Sequence, residues 1–177
     1  LDSGGVVRLY LYVHEQIIKG GAEIMSSYQR PSQLDDALVV LHDGAGRQRA
    51  LTILAGGTDF YPSRVGVPVA ESVLDISGIN GLRGLQETDD GTRIGALVTW
   101  TELLRRPLPS WFDGLRQCAE QVGAVQTQNA ATVVGNLCNA SPAADGTPCL
   151  MALDAQVELA AADGRRTVPV GSKAIQA

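Results

Sequence analysis

One stretch of the chain, residues 132–154, concentrates small and polar residues, with the sequence TVVGNLCNASPAADGTPCLMALD. Its flexible and hydrogen-bonding positions are Gly135, Asn136, Asn139, Ser141 and Asp145. This density of glycine, amide, hydroxyl and carboxylate groups is typical of a backbone-lined pocket for a polar ligand. The apolar run at 148–153 then predicts the start of a buried helix. The same residue types also make ordinary surface loops, so a long loop between two core elements is the alternative.

A second glycine-rich stretch follows a short apolar run. Residues 50–54 (ALTIL) predict a buried strand, which ends in the sequence AGGTD at residues 55–59. Successive glycines after a strand let backbone N–H groups point into one concavity, which binds phosphate oxygens. The residues of the G-x-G-x-x-G and P-loop motifs are missing, so neither of those folds is indicated. AGGTD followed downstream by GN-x-x-NASPAAD is much more specific than either motif alone.

Together the two motifs resemble the flavin-binding subunit or domain of the molybdenum hydroxylases, a family that includes carbon monoxide, xanthine and nicotine dehydrogenases. The resemblance begins near YQRP at 28–31, includes VLDI at 73–76 and RIGALVT at 93–99, and ends near VPV at 168–170. It implies a two-lobed α+β fold. A small α/β lobe would occupy residues 25–79, and a larger, mixed or antiparallel lobe would occupy residues 80–177. Residues 1–24 lie outside the resemblance, as an N-terminal extension.

The resemblance also implies that the chain binds FAD. The AGGTD backbone would contact the FAD pyrophosphate, residues near Gly135 would continue the phosphate and ribityl cradle, and Asp145 would accept hydrogen bonds from flavin or ribose hydroxyls. The implied FAD-binding residues are Leu54, Ala55, Gly56, Gly57, Thr58, Asp59, Ala96, Leu97, Thr132, Val134, Gly135, Asn136, Asn139, Ser141 and Asp145. Structural roles compete with two of these assignments. The backbone angles of Gly135 alone would explain a glycine at that position. Asp145 would be explained as the cap of the following helix.

The chain departs from the family pattern in three ways. Val134 occupies a position that is usually glycine, and a side chain there would narrow the cradle. Gln128 replaces an arginine. Relatives also continue into a C-terminal lobe that covers part of the flavin, whereas here the resemblance stops after Val170 and residues 171–177 look unrelated. The chain is therefore expected to lack that lobe.

Composition narrows the remaining choices. The net charge of −5 and the lack of a basic stripe argue against nucleic acid as a partner. No apolar run approaches the roughly 20 residues of a membrane span. The three cysteines form no C-x-x-C pair, which predicts reduced thiols in a cytoplasmic protein without an iron–sulfur, zinc or other metal site. The two histidines are poorly placed for catalysis, so no catalytic residue is predicted and any redox chemistry belongs to a cofactor.

Two functions are consistent with these features. In the first, the chain is an oxidoreductase component that passes electrons from an iron–sulfur partner through FAD to an acceptor, in a complex with a molybdopterin subunit. It is not expected to oxidise an organic substrate alone. In the second, it is a shortened, non-enzymatic remnant that acts as a binding or assembly module. The apolar segment at 6–18, a short strand or an amphipathic helix, is expected to dock on the larger lobe or to mediate self-association.

Overall fold

The computed structural model describes residues 6–11, 27–46, 51–89, 91–139 and 144–172. The strands are β1 Val6–Leu11, β2 Tyr28–Gln29, β3 Leu51–Leu54, β4 Ser72–Asp75, β5 Leu85–Thr88, β6 Gly91–Ile94, β7 Gln156–Ala161 and β8 Gly164–Pro169. The α-helices are α1 Leu34–Gly46, α2 Trp100–Arg105, α3 Asp113–Gln121, α4 Val125–Ala130, α5 Val133–Cys138 and α6 Gly146–Ala152. The strands form two separate sheets.

The smaller sheet is parallel and has the order β2-β4-β3. Leu54 pairs with Asp75, so the carboxyl ends of β3 and β4 lie side by side. Helix α1 turns Ala37 and Leu41 into the core. The predicted succession of helix, strand, glycine loop and strand is therefore present. The AGGTD loop, which follows β3, therefore lies at the carboxyl edge of this sheet.

The larger sheet is mixed and has five strands in the order β5-β6-β1-β7-β8. Its two outer pairs are the antiparallel hairpins that turn residues at 89–91 and 163–164 predicted. Strand β1 lies between the hairpins and runs parallel to both β6 and β7. The apolar segment expected to dock on the larger lobe thus supplies its central strand, as far as residue 11. The remainder of that segment, at 12–18, lies outside the described residues.

The two-lobed α+β fold expected from the resemblance is confirmed. The larger lobe combines the mixed sheet with helices α2–α6, and one continuous apolar core includes buried residues of both lobes, such as Leu74, Val7 and Phe112. The exact lobe bounds remain a prediction. Of the helices in the described part of the chain, none has the length and apolar character that a membrane crossing requires.

Candidate functional site

The AGGTD loop follows β3 directly and folds into a tight turn. Gly57 has φ +72°, a left-handed conformation that glycine adopts without strain. Its carbonyl accepts a hydrogen bond from the Tyr61 N–H at 3.1 Å, and the Asp59 carbonyl accepts one from Ser63 N–H at 3.2 Å. Within the described residues, no protein acceptor receives the backbone N–H groups of Gly57, Thr58 or Asp59. The loop therefore offers three consecutive backbone donors.

Gly56 brings this loop against the second glycine-rich motif. A Cβ atom at Gly56 would lie 2.0 Å from the carbonyl oxygen of Ala130 and 3.2 Å from the Cα of Ala131. The two motifs are more than 70 residues apart in the sequence, yet their backbones touch. Only a residue without a side chain permits this contact.

Helix α5 begins immediately after that contact. Thr132 is its N-cap, because the Thr132 hydroxyl accepts a hydrogen bond from the Gly135 N–H at 2.9 Å. The residues before the helix pair with the segment that follows Leu97. Trp100 N–H donates to the Ala131 carbonyl at 3.2 Å, and Val133 N–H donates to the Val98 carbonyl at 3.0 Å. Three stretches that the sequence singled out, at 54–59, 96–99 and 132–136, therefore meet in one place.

Several of the implied FAD-binding residues have their side chains in the core. Ala96 and Leu97 are each 3% exposed, Val134 is 2% exposed, and Leu54 is also buried. Their side chains are therefore withdrawn from the surface of the site. The Val134 side chain packs in the core, and its effect on the width of the cradle stays a prediction.

The amide of Asn136 connects α5 to α6. Its Oδ1 accepts a hydrogen bond from the Gly146 N–H at 3.2 Å. Asp145, just before α6, is exposed, and its side chain forms no capping hydrogen bond. The capping role weighed for Asp145 is therefore not observed. Asn139 lies exposed at the end of α5, and Ser141 lies outside the described residues.

Trp100 is a member of this site that sequence reasoning missed. Its side chain is fully buried, and its indole Nε1 has no hydrogen-bond partner among the described residues. A Cβ atom at Gly146 would lie 2.7 Å from Trp100 Cη2, so α6 packs closely on the ring. The sequence signal that could have located Trp100 was the capping box of α2. Thr99 and Glu102 form its two reciprocal hydrogen bonds, which places Trp100 in the first turn of the helix.

A charged group lies at the same edge of the small sheet as the glycine loop. The Asp75 carboxylate accepts hydrogen bonds from the Tyr28 hydroxyl and, at 2.8 Å, from the Ser77 N–H, and Arg30 Nε lies 3.4 Å away. Burial raises the pKa of Asp75, but these hydrogen bonds and the Arg30 charge outweigh burial and lower the pKa. The hydrogen bond to Asp75 raises the pKa of Tyr28. Asp75 therefore stays ionised and fixes the end of β4.

Comparison with known proteins gives consistent matches over most of the chain. The sequence profile of the family described as "FAD binding domain in molybdopterin dehydrogenase" matches residues 23–175. The xanthine dehydrogenase FAD-binding subunit of Escherichia coli O157:H7 is 32% identical over 157 residues, covering 82% of this chain and 49% of the relative. The nicotinate dehydrogenase FAD-subunit of Eubacterium barkeri is 34% identical over 140 residues, covering 77% of this chain and 46% of the relative.

Solved structures show the same relationship. The structure of carbon monoxide dehydrogenase from Hydrogenophaga pseudoflava, in a form that lacks the Mo-pyranopterin moiety, superimposes with a TM-score of 0.72 at 25% identity. The match covers 85% of this chain and 52% of that chain. The chain thus spans about half the length of the relatives that it matches.

Proposed function

Because the chain belongs to the family of FAD binding domains in molybdopterin dehydrogenases, we propose that it is the electron-transfer flavoprotein component of a molybdenum hydroxylase-type dehydrogenase. Its partners would be an iron–sulfur subunit and a molybdopterin subunit. When bound, FAD supplies the redox chemistry, taking electrons from a reduced partner and passing them to an acceptor. The three free thiols of the described residues favour a cytoplasmic location.

The observation that carries the proposal is the contact between Gly56 and Ala130. It brings the three backbone donors of the AGGTD loop next to the start of α5. Consecutive N–H groups that have no acceptor among the described residues, beside a backbone contact too close to admit a Cβ, suit the closely approaching oxygens of a pyrophosphate. The residues present therefore fit the phosphate part of FAD.

The chain's own residues would then have distinct tasks. The N–H groups of Gly57, Thr58 and Asp59 would donate to phosphate oxygens. Asn136 holds α6 with its oxygen, and its amide nitrogen would donate to the ligand. The exposed Asp145 carboxylate would accept hydrogen bonds from ligand hydroxyls. These tasks bind and orient the cofactor, and the chemistry of substrate oxidation falls to other subunits.

The alternative function is a non-enzymatic remnant of the fold that acts as a binding or assembly module. The two functions differ in one measurable property, which is whether the purified chain takes up FAD.

Titration of the full chain with FAD tests the proposal. We expect saturable binding, seen as a change in flavin absorbance and fluorescence. Gly57→Ala should abolish it, because Gly57 has φ +72° and its Cβ would lie 2.5 Å from the Tyr61 ring. Gly66→Ala is the matched control. Gly66 has φ +76°, but a Cβ there meets nothing within 4 Å, so alanine at this position brings similar backbone strain without the clash.

Two outcomes would overturn the proposal. A colourless chain that fails to take up added FAD would favour the assembly module. Equal FAD affinity in the Gly57→Ala and Gly66→Ala variants would show that the AGGTD loop does not hold the cofactor. Turnover of an organic substrate by the isolated chain with a dye acceptor would separately contradict the assignment of that chemistry to other subunits.

A further inference from the structure

The central strand of the larger sheet comes from outside the family-matched part of the chain. The family profile matches residues 23–175, whereas β1 is Val6–Leu11. The described strands of the matched part form only the two outer hairpins of this sheet. Between the hairpins lies a gap one strand wide, and β1 fills it.

Strand β1 completes hydrogen-bond ladders on both of its sides. Residues 6–9 pair with residues 91–94 of β6, and residues 8–11 pair with residues 156–159 of β7. The side chain of Val7 is fully buried. Without β1, the facing edges of β6 and β7 would each present unpaired N–H and C=O groups in the middle of the lobe. Buried backbone groups of that kind are rarely left without partners.

The same strand supports the candidate FAD site. Helix α5, which carries Thr132 at its N-terminus, packs against β1. Leu9 pairs with Ile94, and Ile94 leads directly into the stretch that contains Ala96 and Leu97. A change in β1 would therefore affect two of the three stretches that meet at the site, those at 96–99 and 132–136.

We propose that the gap between β6 and β7 is a strand-binding slot and that the segment at 6–11 fills it as a separable piece. The slot takes an extended, mostly apolar segment that runs parallel to both neighbours and buries a β-branched side chain at the position of Val7. Main-chain hydrogen bonds on two sides supply most of the affinity, as in other cases of strand addition. A peptide with this sequence binds the slot in trans.

Cleavage of the full chain tests whether the segment is separable. A recognition sequence for a specific protease is placed within residues 12–26, and the folded protein is cut there. We expect the N-terminal fragment to co-elute with the remainder on gel filtration and the Tm to rise with protein concentration, because the complex has become bimolecular. Release of the fragment with unchanged circular dichroism and Tm of the remainder would overturn the proposal.

A pair of substitutions tests the slot in the intact chain. Val7→Asp places a charge in the buried position and should lower the Tm by about 10 °C, whereas Val7→Thr keeps the shape and should lower it much less. Excess peptide of residues 1–18 should restore the Tm of the Val7→Asp chain, and the same peptide with Val7→Asp should not. A Val7→Asp chain that melts like the wild type would contradict the proposal.

Uptake of FAD adds a third readout, which rests on the proposed function. We expect the Val7→Asp chain to bind FAD at least about tenfold more weakly and the peptide to restore binding, since α5 loses the surface on which it packs. The fragment and Tm measurements do not involve FAD. If they succeed while no form of the chain binds FAD, the slot is supported and the proposed function fails. If the wild type binds FAD but the fragment leaves without effect, the slot fails alone.

Discussion

Gly56 and Ala130 touch through their backbones, with so little space between them that a Cβ on Gly56 would lie 2.0 Å from the Ala130 carbonyl oxygen. Neither of the colliding groups belongs to a flexible side chain, so the clash cannot be relieved by a change of rotamer. Relief would require the AGGTD loop and the start of α5 to move apart. The geometry of the candidate FAD site thus depends on one missing methyl group.

Replacement of Gly56 by alanine should therefore damage binding and stability together. For Gly56→Ala we expect a loss of about 2–3 kcal/mol in the free energy of unfolding, in the range of overpacked interiors. FAD affinity should fall at least about tenfold, because the loop donors lose their position next to α5. Urea unfolding and FAD titration measure the two effects separately.

Gly114→Ala is the control for this substitution. Gly114 lies in α3, and a Cβ there meets nothing within 4 Å. Alanine in a helix is favoured over glycine by about 0.5–1 kcal/mol, so this variant should be slightly more stable than the wild type, with unchanged FAD affinity. If Gly56→Ala matched Gly114→Ala in both measurements, the tight contact would have no consequence.

The N-cap of α5 is a second position at which a single atom, the hydroxyl oxygen of Thr132, should affect stability. The Thr132 hydroxyl is the acceptor for the Gly135 N–H, and Thr132 is almost fully buried. Thr132→Val keeps the shape of the side chain but removes this acceptor, which should cost about 1 kcal/mol. Thr132→Ser keeps the hydroxyl and should recover most of the loss. Urea unfolding measures both, and a Thr132→Val variant as stable as the wild type would show that the capping hydrogen bond contributes nothing to stability.

Local signals predicted much of the fold because the physics behind them is local. The turn residues around 89–91 and 163–164 identified both hairpins, and Thr99 with Glu102 identified the start of α2. Helix α5 was harder to predict from local signals. Its N-cap, Thr132, is followed by Gly135 at the position where a glutamate would complete a capping box, so the motif looked like a loop.

The sequence did not predict which strands pair when they lie far apart in the chain. The apolar pattern at 6–18 fitted a strand or a helix equally well, and no local signal says that Val6 pairs with Gly91. The same limit applies to the site. Ala130 and Ala131 carry no chemistry of their own and became site residues only because Gly56 packs on them. The resemblance to a family supplied the expectation that the two motifs meet, and the structure supplies the contact.

The carboxylate of Asp75 should determine part of the acid stability. Its pKa is lowered, so its ionised form stabilises the fold above the ordinary aspartate pKa, and that contribution is lost as the pH falls through the lower folded value. Tyr28→Phe removes one of its hydrogen-bond donors and should raise this pKa towards its ordinary value. We therefore expect the acid unfolding midpoint of Tyr28→Phe, measured by circular dichroism, to lie at a higher pH than that of the wild type.

Tyr61→Phe is the matched control for that measurement. Tyr61 is an exposed tyrosine near the same edge of the sheet, and among the described residues its hydroxyl forms no hydrogen bond. Its loss should leave the acid midpoint unchanged. Coincident acid transitions for Tyr28→Phe and the wild type would mean that the Tyr28 hydroxyl contributes nothing to the ionisation of Asp75.

Helices α3 and α6 bring two thiols together, and this contact should govern cysteine reactivity. Burial and the neighbouring Cys149 thiol raise the pKa of Cys118 from 9.0 to about 12, and the Cys149 Sγ lies 3.6 Å from the Gly114 carbonyl of α3. The thiolate is the reactive form, so at pH 8 the folded protein should have roughly a thousandfold less of it at Cys118 than the unfolded chain.

Alkylation with iodoacetamide, followed peptide by peptide with mass spectrometry, measures this difference. We expect Cys118 to be protected in the folded protein at pH 8, to react faster as the pH rises, and to react freely in urea. Because its pKa is raised, the neutral thiol also stabilises the fold below about pH 9, and this contribution disappears as the pH approaches 12. Cys149→Ala removes the neighbouring thiol and should speed the reaction at Cys118. Equal alkylation rates at Cys118 in the folded and urea-unfolded protein would contradict the buried contact between α3 and α6.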